Sequence, residues 1–214
     1  MMRKAMIGIV AILAGPAAAE PVVIAALGDS LTQGYGLPAE EGFVSQLQAW
    51  LTDQGADVQL INAGVSGDTT AGGLSRVAWT LTPDVDAMIV ALGGNDLLRA
   101  LDPAQTRENL TGIMEAADQA EVEVLLVGME APGNYGAEYK SEFDAIYPDL
   151  AAAFDSLYVD SFFAGLREGG AMPDPATLRP FFQADGIHPN ADGVARIVEA
   201  IGPEVLKLAQ AASD

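Results

Sequence analysis

The chain has 214 residues, 50% of them hydrophobic and 19% charged, and a formal net charge of −20. Such a composition belongs to a globular chain rather than a disordered one, and a surface this acidic repels phosphate backbones and anionic lipid headgroups, which excludes nucleic acid as a partner. The absence of cysteine excludes disulfides and any lipid anchor carried by an N-terminal Cys, so the domain must be held by its core alone.

The first segment reads as a leader. Met1-Met2-Arg3-Lys4 is a basic start, Ala5 to Gly15 is apolar, and Ala17-Ala18-Ala19 offers the small-x-small pattern of a cleavage site. The apolar stretch falls short of the ~20 residues that a membrane-spanning helix needs. The expected organisation is a signal peptide at residues 1–19, cleaved before Glu20, followed by one domain at residues 20–214. The mature protein is expected to be periplasmic or secreted, monomeric and without a stable membrane anchor.

Apolar, β-rich runs then alternate with helical patterns. The first run, Val22 to Leu27, exits into Gly28-Asp29-Ser30. Phe43, Val44, Leu47, Trp50 and Leu51 follow at helical spacing. Val58 to Asn62 exits into Ala63-Gly64, and Met88 to Leu92 into Gly93-Gly94-Asn95-Asp96. Asp102-Pro103 supplies an N-cap and a first-turn proline, Gln105 suits a capping box, and Leu110, Ile113, Met114 and Ala117 mark the buried stripe of that helix. Val122 to Val127 is followed by Glu130-Ala131-Pro132-Gly133-Asn134-Tyr135. Beyond the fifth run, Leu157 to Asp160, lies Asp185-Gly186-Ile187-His188-Pro189. The last helix begins after Asn190, with Val194, Ile197, Val198 and Ile201 on one side, and Gly202-Pro203 is expected to break or kink it. Continuous apolar strands between helices predict an α/β fold, a parallel sheet covered on both faces in a three-layer α/β/α sandwich. All strands of such a sheet end at one edge, so the polar, glycine-marked exits converge there.

Hydrolysis of an ester needs a nucleophile, a base and a group that orients the base. His188 is the only histidine in the chain, and Asp185 three residues earlier can meet its Nδ1 on a single turn. Ser30, leaving a strand directly into a turn, is the candidate nucleophile, while Asp29 reads as a structural residue of the same loop. Asn95 offers a side-chain amide and Gly64 a backbone N–H without a Cβ in the way, the donors that a developing oxyanion requires. Each of these residues alone is more often a turn former or a surface group. One His among scattered acids is a poor transition-metal site. Gly64-Val65-Ser66-Gly67 imitates a nucleophile elbow, but Asp68 replaces its last glycine. No glycine-rich phosphate loop is present.

Taken in order, Gly28-Asp29-Ser30-Leu31, Asn62 to Thr69, Gly94-Asn95-Asp96 and Asp185 to Pro189 resemble the four blocks of the SGNH, or GDSL, hydrolases. Leu92 to Asp96, Pro132 to Gly136 and Ala145-Ile146-Tyr147-Pro148 are similar to the exported bacterial branch of thioesterase I, protease I, lysophospholipase L1 and arylesterase. The resemblance implies a flavodoxin-like five-stranded sheet of order 2-1-3-4-5 and no metal or organic cofactor. It implies Ser30 as nucleophile, His188 as base, Asp185 as its orienter, and Ser30, Gly64 and Asn95 as oxyanion donors. It also implies that the loop Glu130, Ala131, Pro132, Gly133, Asn134 and Tyr135 contacts substrate. The expected activity is hydrolysis of aryl esters, lysophospholipids and acyl thioesters through an acyl-enzyme. A carbohydrate acetylesterase would instead show a polar cleft, and a non-enzymatic binding module on the same fold would lack Ser, Asn or His.

Overall fold

Strands without polar alternation require cover on both faces, and the chain provides it. The computed structural model describes residues 20–169 and 173–213, so the expected signal peptide lies outside the described residues. Five strands, β1 (Val22–Gly28), β2 (Val58–Gly64), β3 (Ala87–Ala91), β4 (Glu123–Val127) and β5 (Leu157–Val159), pair in parallel in the order β2-β1-β3-β4-β5. Every residue of β3, at the centre, is buried, whereas β2 at one edge leaves Ile61 exposed. Gly28 at the end of β1 is in register with Gly64 on one side and Ala91 on the other, so three loops leave the sheet at one level.

Nine helices are found among the described residues. They are α1 (Ser30–Gln33), α2 (Phe43–Asp53), α3 (Thr70–Thr80), α4 (Gly94–Leu98), α5 (Pro103–Gln119), α6 (Ala137–Asp144), α7 (Ile146–Ala153), α8 (Pro175–Leu178) and α9 (Ala191–Ala211). On one face α2 packs against α9; on the other α3 packs against α5, flanked by α6 and α7. The stripe expected on α5 is buried, and Asp102 caps it by accepting from the Ala104 N–H at 2.9 Å. The reciprocal capping box does not form: the Gln105 backbone N–H closes on the Asp102 carbonyl instead, at 3.0 Å.

Of the break or kink expected at Gly202-Pro203, the break is absent, since α9 continues through both residues. Pro203 removes one N–H from the ladder, but Val205 and Leu208 beyond it are fully buried, and their burial outweighs one bond. Gly202 serves packing rather than termination: a Cβ there would lie 2.7 Å from the Trp50 ring on α2.

Candidate active site

Ser30 is the first residue of α1, directly after β1, and its own N–H has no carbonyl one turn earlier to donate to. Asp29 caps the turn, its Oδ1 accepting from the Leu31 N–H at 3.0 Å. The segment between α8 and α9 brings His188 to the same rim, with Nε2 2.9 Å from Ser30 Oγ. Its Nδ1 lies 2.7 Å from Asp185 Oδ2, while Asp185 Oδ1 accepts the N–H groups of Ile187 at 2.9 Å and His188 at 3.0 Å. The imidazole hydrogen bond first, and those two N–H groups next, hold the Asp185 carboxyl down at about 2. A carboxylate at Nδ1 fixes the tautomer that leaves the Nε2 lone pair facing the serine. The Tyr35 ring packs over the imidazole with 4.7 Å between centroids.

Asn95, in α4 after β3, lines the same cleft as Ser30, and its Nδ2 donates to Asp29 Oδ2 at 3.2 Å. An amide nitrogen carries two hydrogens, so one remains for a ligand. Asp29 is 1% exposed, and burial pushes its carboxyl up from 3.8 to about 6 against the lowering effect of its bonds to Leu31 and Asn95.

Gly64 must be corrected as an oxyanion donor. β2 continues to Gly64, whose N–H donates to Asn62 Oδ1 at 3.0 Å, and Gly64 lies outside the cleft. Its missing Cβ instead makes room for the backbone of Gln33. The cleft is reached three residues later. Asp68 N–H bonds Val65 O at 3.1 Å, closing a turn whose third residue is Gly67 with φ +85°, the conformation that favours glycine in a type II turn. Gly67 lines the cleft, and its N–H finds no acceptor among the described residues. Ser66 Oγ, the false elbow, donates to Gln33 Oε1.

Two polar arrangements behind the rim escaped sequence reading. Arg76 on α3 donates to Ala63 O at 2.7 Å, Gly28 O at 2.8 Å and Asp68 Oδ2 at 2.6 Å. Asp96, buried beside Asn95, accepts from Thr70 N at 2.9 Å, Thr70 Oγ1 at 2.6 Å and Thr106 Oγ1 at 3.3 Å. The first has no sequence signature, because its partners are mostly carbonyls.

The rim surrounds a cleft of about 620 Å³ with walls that include Leu97, Met129, Phe163, Phe182 and Ile187. Of the loop expected to contact substrate, Glu130, Pro132 and Tyr135 line it. Ala131 is buried behind them, its N–H held by Asp144 Oδ1 at 2.8 Å, and Gly133 and Asn134 face solvent away from it. Glu130 is ion-paired with Arg167. A column of rings runs inward from this wall: Tyr135 and Tyr139 at 5.2 Å, Tyr139 and Phe143 at 6.1 Å, Phe143 and Tyr147 at 5.9 Å. It ends where Tyr147 Oη donates to Leu92 O at 2.8 Å, just before the Gly93-Gly94-Asn95 turn.

A family model described as GDSL-like lipase/acylhydrolase matches residues 26–196. The chain is 37% identical to the esterase TesA of Pseudomonas aeruginosa over 92% of this chain and 93% of that protein. It is 35% identical to thioesterase 1/protease 1/lysophospholipase L1 of Escherichia coli, over 90% of this chain and 86% of that protein. The crystal structure of AlinE4, an SGNH-hydrolase family esterase, is 43% identical and superposes with a TM-score of 0.71, covering 89% of this chain and 98% of that one.

Proposed function

Because the chain belongs to the GDSL-like lipase/acylhydrolase family and is a carboxylic ester hydrolase, we propose that it cleaves esters and thioesters of apolar acyl groups through an acyl-enzyme on Ser30. The observation that carries this is the unbroken relay from Asp185 through His188 to Ser30, opening on an apolar cleft. His188 Nε2 takes the Ser30 Oγ proton as Oγ attacks the carbonyl carbon. Asp185, already ionised, stabilises the imidazolium without itself being protonated. The resulting oxyanion is held by the Ser30 N–H, the free hydrogen of Asn95 Nδ2 and the Gly67 N–H. The imidazolium then gives its proton to the leaving alkoxide or thiolate. A water activated by the same His188 Nε2 attacks the acyl-enzyme, and the acid leaves as Ser30 regains its proton.

The apolar walls favour acyl chains over acetylated carbohydrates, whose hydroxyls would need polar partners. The relatives named as esterase and as thioesterase/lysophospholipase support the same substrate classes. The basic start, short apolar run and Ala-x-Ala site support export, with a mature N-terminus at Glu20. Treatment with a p-nitrophenyl alkylphosphonate followed by peptide mass spectrometry tests the nucleophile. Label on Ser30 with loss of activity is expected, and Ser30→Ala should be inactive yet folded. Label on Ser66, or an active Ser30→Ala enzyme, would refute the assignment.

A further inference from the structure

We infer that Arg76 is a positioning residue that locks the nucleophile turn and the Gly67 turn into one rigid unit. This rests on the roles proposed above for Ser30 and Gly67. The β1–β2 ladder ends at the Gly28–Gly64 pair, and the last backbone bond between the two exits runs from Val65 N–H to Gly28 O at 3.0 Å. Beyond that bond the ladder constrains neither turn, although Ser30 lies two residues past Gly28 and Gly67 four past Ala63. The Arg76 guanidinium takes over at this point. One N–H reaches the last carbonyl of β1, a second the Ala63 carbonyl at the end of β2, and the third the carboxylate of Asp68, next to Gly67.

The guanidinium is planar and its donors are fixed in a fork, so three acceptors bonded to it cannot move independently. The site is built to receive it. Both charged groups are largely shielded, with side-chain exposures of 22% and 19% for Arg76 and Asp68. A Cβ at Gly72 would strike the Asp68 carboxylate at 2.6 Å, so the glycine leaves the acid its place. Arg76 neither lines the cleft nor reaches His188, and the acyl walls come mainly from other loops. Its removal therefore acts on where the oxyanion sits relative to Ser30 Oγ rather than on how tightly the acyl chain binds.

The test is kcat, KM and melting temperature on one short p-nitrophenyl ester for wild type, Arg76→Ala, Arg76→Lys, Ile113→Val and Ser30→Ala. Misplacement by an ångström costs ~10²-fold in rate, so Arg76→Ala should lose about 10-fold or more in kcat with KM nearly unchanged. Arg76→Lys keeps the charge and folds, but a lysine cannot span three acceptors, and it should lose kcat to a similar extent. Added guanidinium at non-denaturing concentration should restore part of the Arg76→Ala rate and none of the Arg76→Lys rate. Ile113→Val, a core variant, lowers the melting temperature without touching the turns and should keep wild-type kcat below its transition. Wild-type kcat in Arg76→Lys, or equal losses of kcat in Ile113→Val, would overturn the inference for Arg76 alone. An active Ser30→Ala enzyme would instead remove the reading beneath it.

Discussion

Neutralising the buried acid beside Ser30 should change how stability depends on pH. Asp29 is 1% exposed and titrates at about 6 in the folded chain, against 3.8 as a free carboxyl. Between those values the native protein keeps a proton that the unfolded chain has released. Stability therefore falls as pH rises through this window, by ~1.4 kcal/mol per pH unit, and roughly 3 kcal/mol present in acid is lost by neutrality. Asp29→Asn abolishes the titration. The new amide cannot accept from both Leu31 N–H and Asn95 Nδ2 at once, which lowers its absolute stability, but that offset is the same at every pH. Asp185, held at about 2, has the opposite slope below this window and is common to both proteins. Urea denaturation of wild type and variant at pH 4 and pH 7.5 measures the effect. The stability of Asp29→Asn relative to wild type should rise by roughly 2.5 kcal/mol between the two, because at pH 4 the unfolded carboxyl is already more than half ionised, and melting temperature should follow at ~2–4 °C per kcal/mol for a domain of this size. An unchanged gap at the two pH values would refute the reasoning.

Asn95→Ala should lower kcat by ~10²–10³ with little change in KM, as loss of one oxyanion donor does, and should raise the Asp29 carboxyl further by removing a bond that lowers it. Asn95→Asp with near wild-type kcat at neutral pH would rule out the amide as a donor. Gly202→Ala should destabilise by ~1–3 kcal/mol through overpacking against Trp50, less what alanine adds to helix propensity. Trp50→Leu in the same chain should recover most of the loss in melting temperature, and an unchanged melting temperature in Gly202→Ala alone would mean that the contact relaxes freely.

The strands were legible because apolar runs bounded by glycine leave few alternatives, and the register at Gly28 then brings Ser30 and Asn95 to one rim. His188 and Asp185 were legible because their contact is local, three residues apart. Position 64 is ambiguous in the sequence because the block Asn62 to Thr69 contains two glycines, and β2 runs two residues past the apolar run that ends at Asn62. The turn signal at Val65-Ser66-Gly67-Asp68 marks the better candidate. Arg76 was invisible, since two of its three partners are main-chain oxygens. The continuity of α9 rests on the burial of Val205 and Leu208 beyond Pro203, which no local window shows.

The aromatic column from Tyr135 to Tyr147 makes enlargement of the cleft an uneven problem for anyone redesigning it. Its outermost ring is 37% exposed, so trimming Tyr135 leaves no void and alters only the wall. Each step inward raises the cost, because Phe143 and Tyr147 are enclosed and truncating such rings typically costs ~3–5 kcal/mol. Tyr147 also anchors the main chain leading to Asn95, so a change there reaches the proposed oxyanion donor as well as the pocket. Libraries aimed at longer or bulkier acyl groups should therefore vary the column from its solvent end and keep the two inner rings fixed.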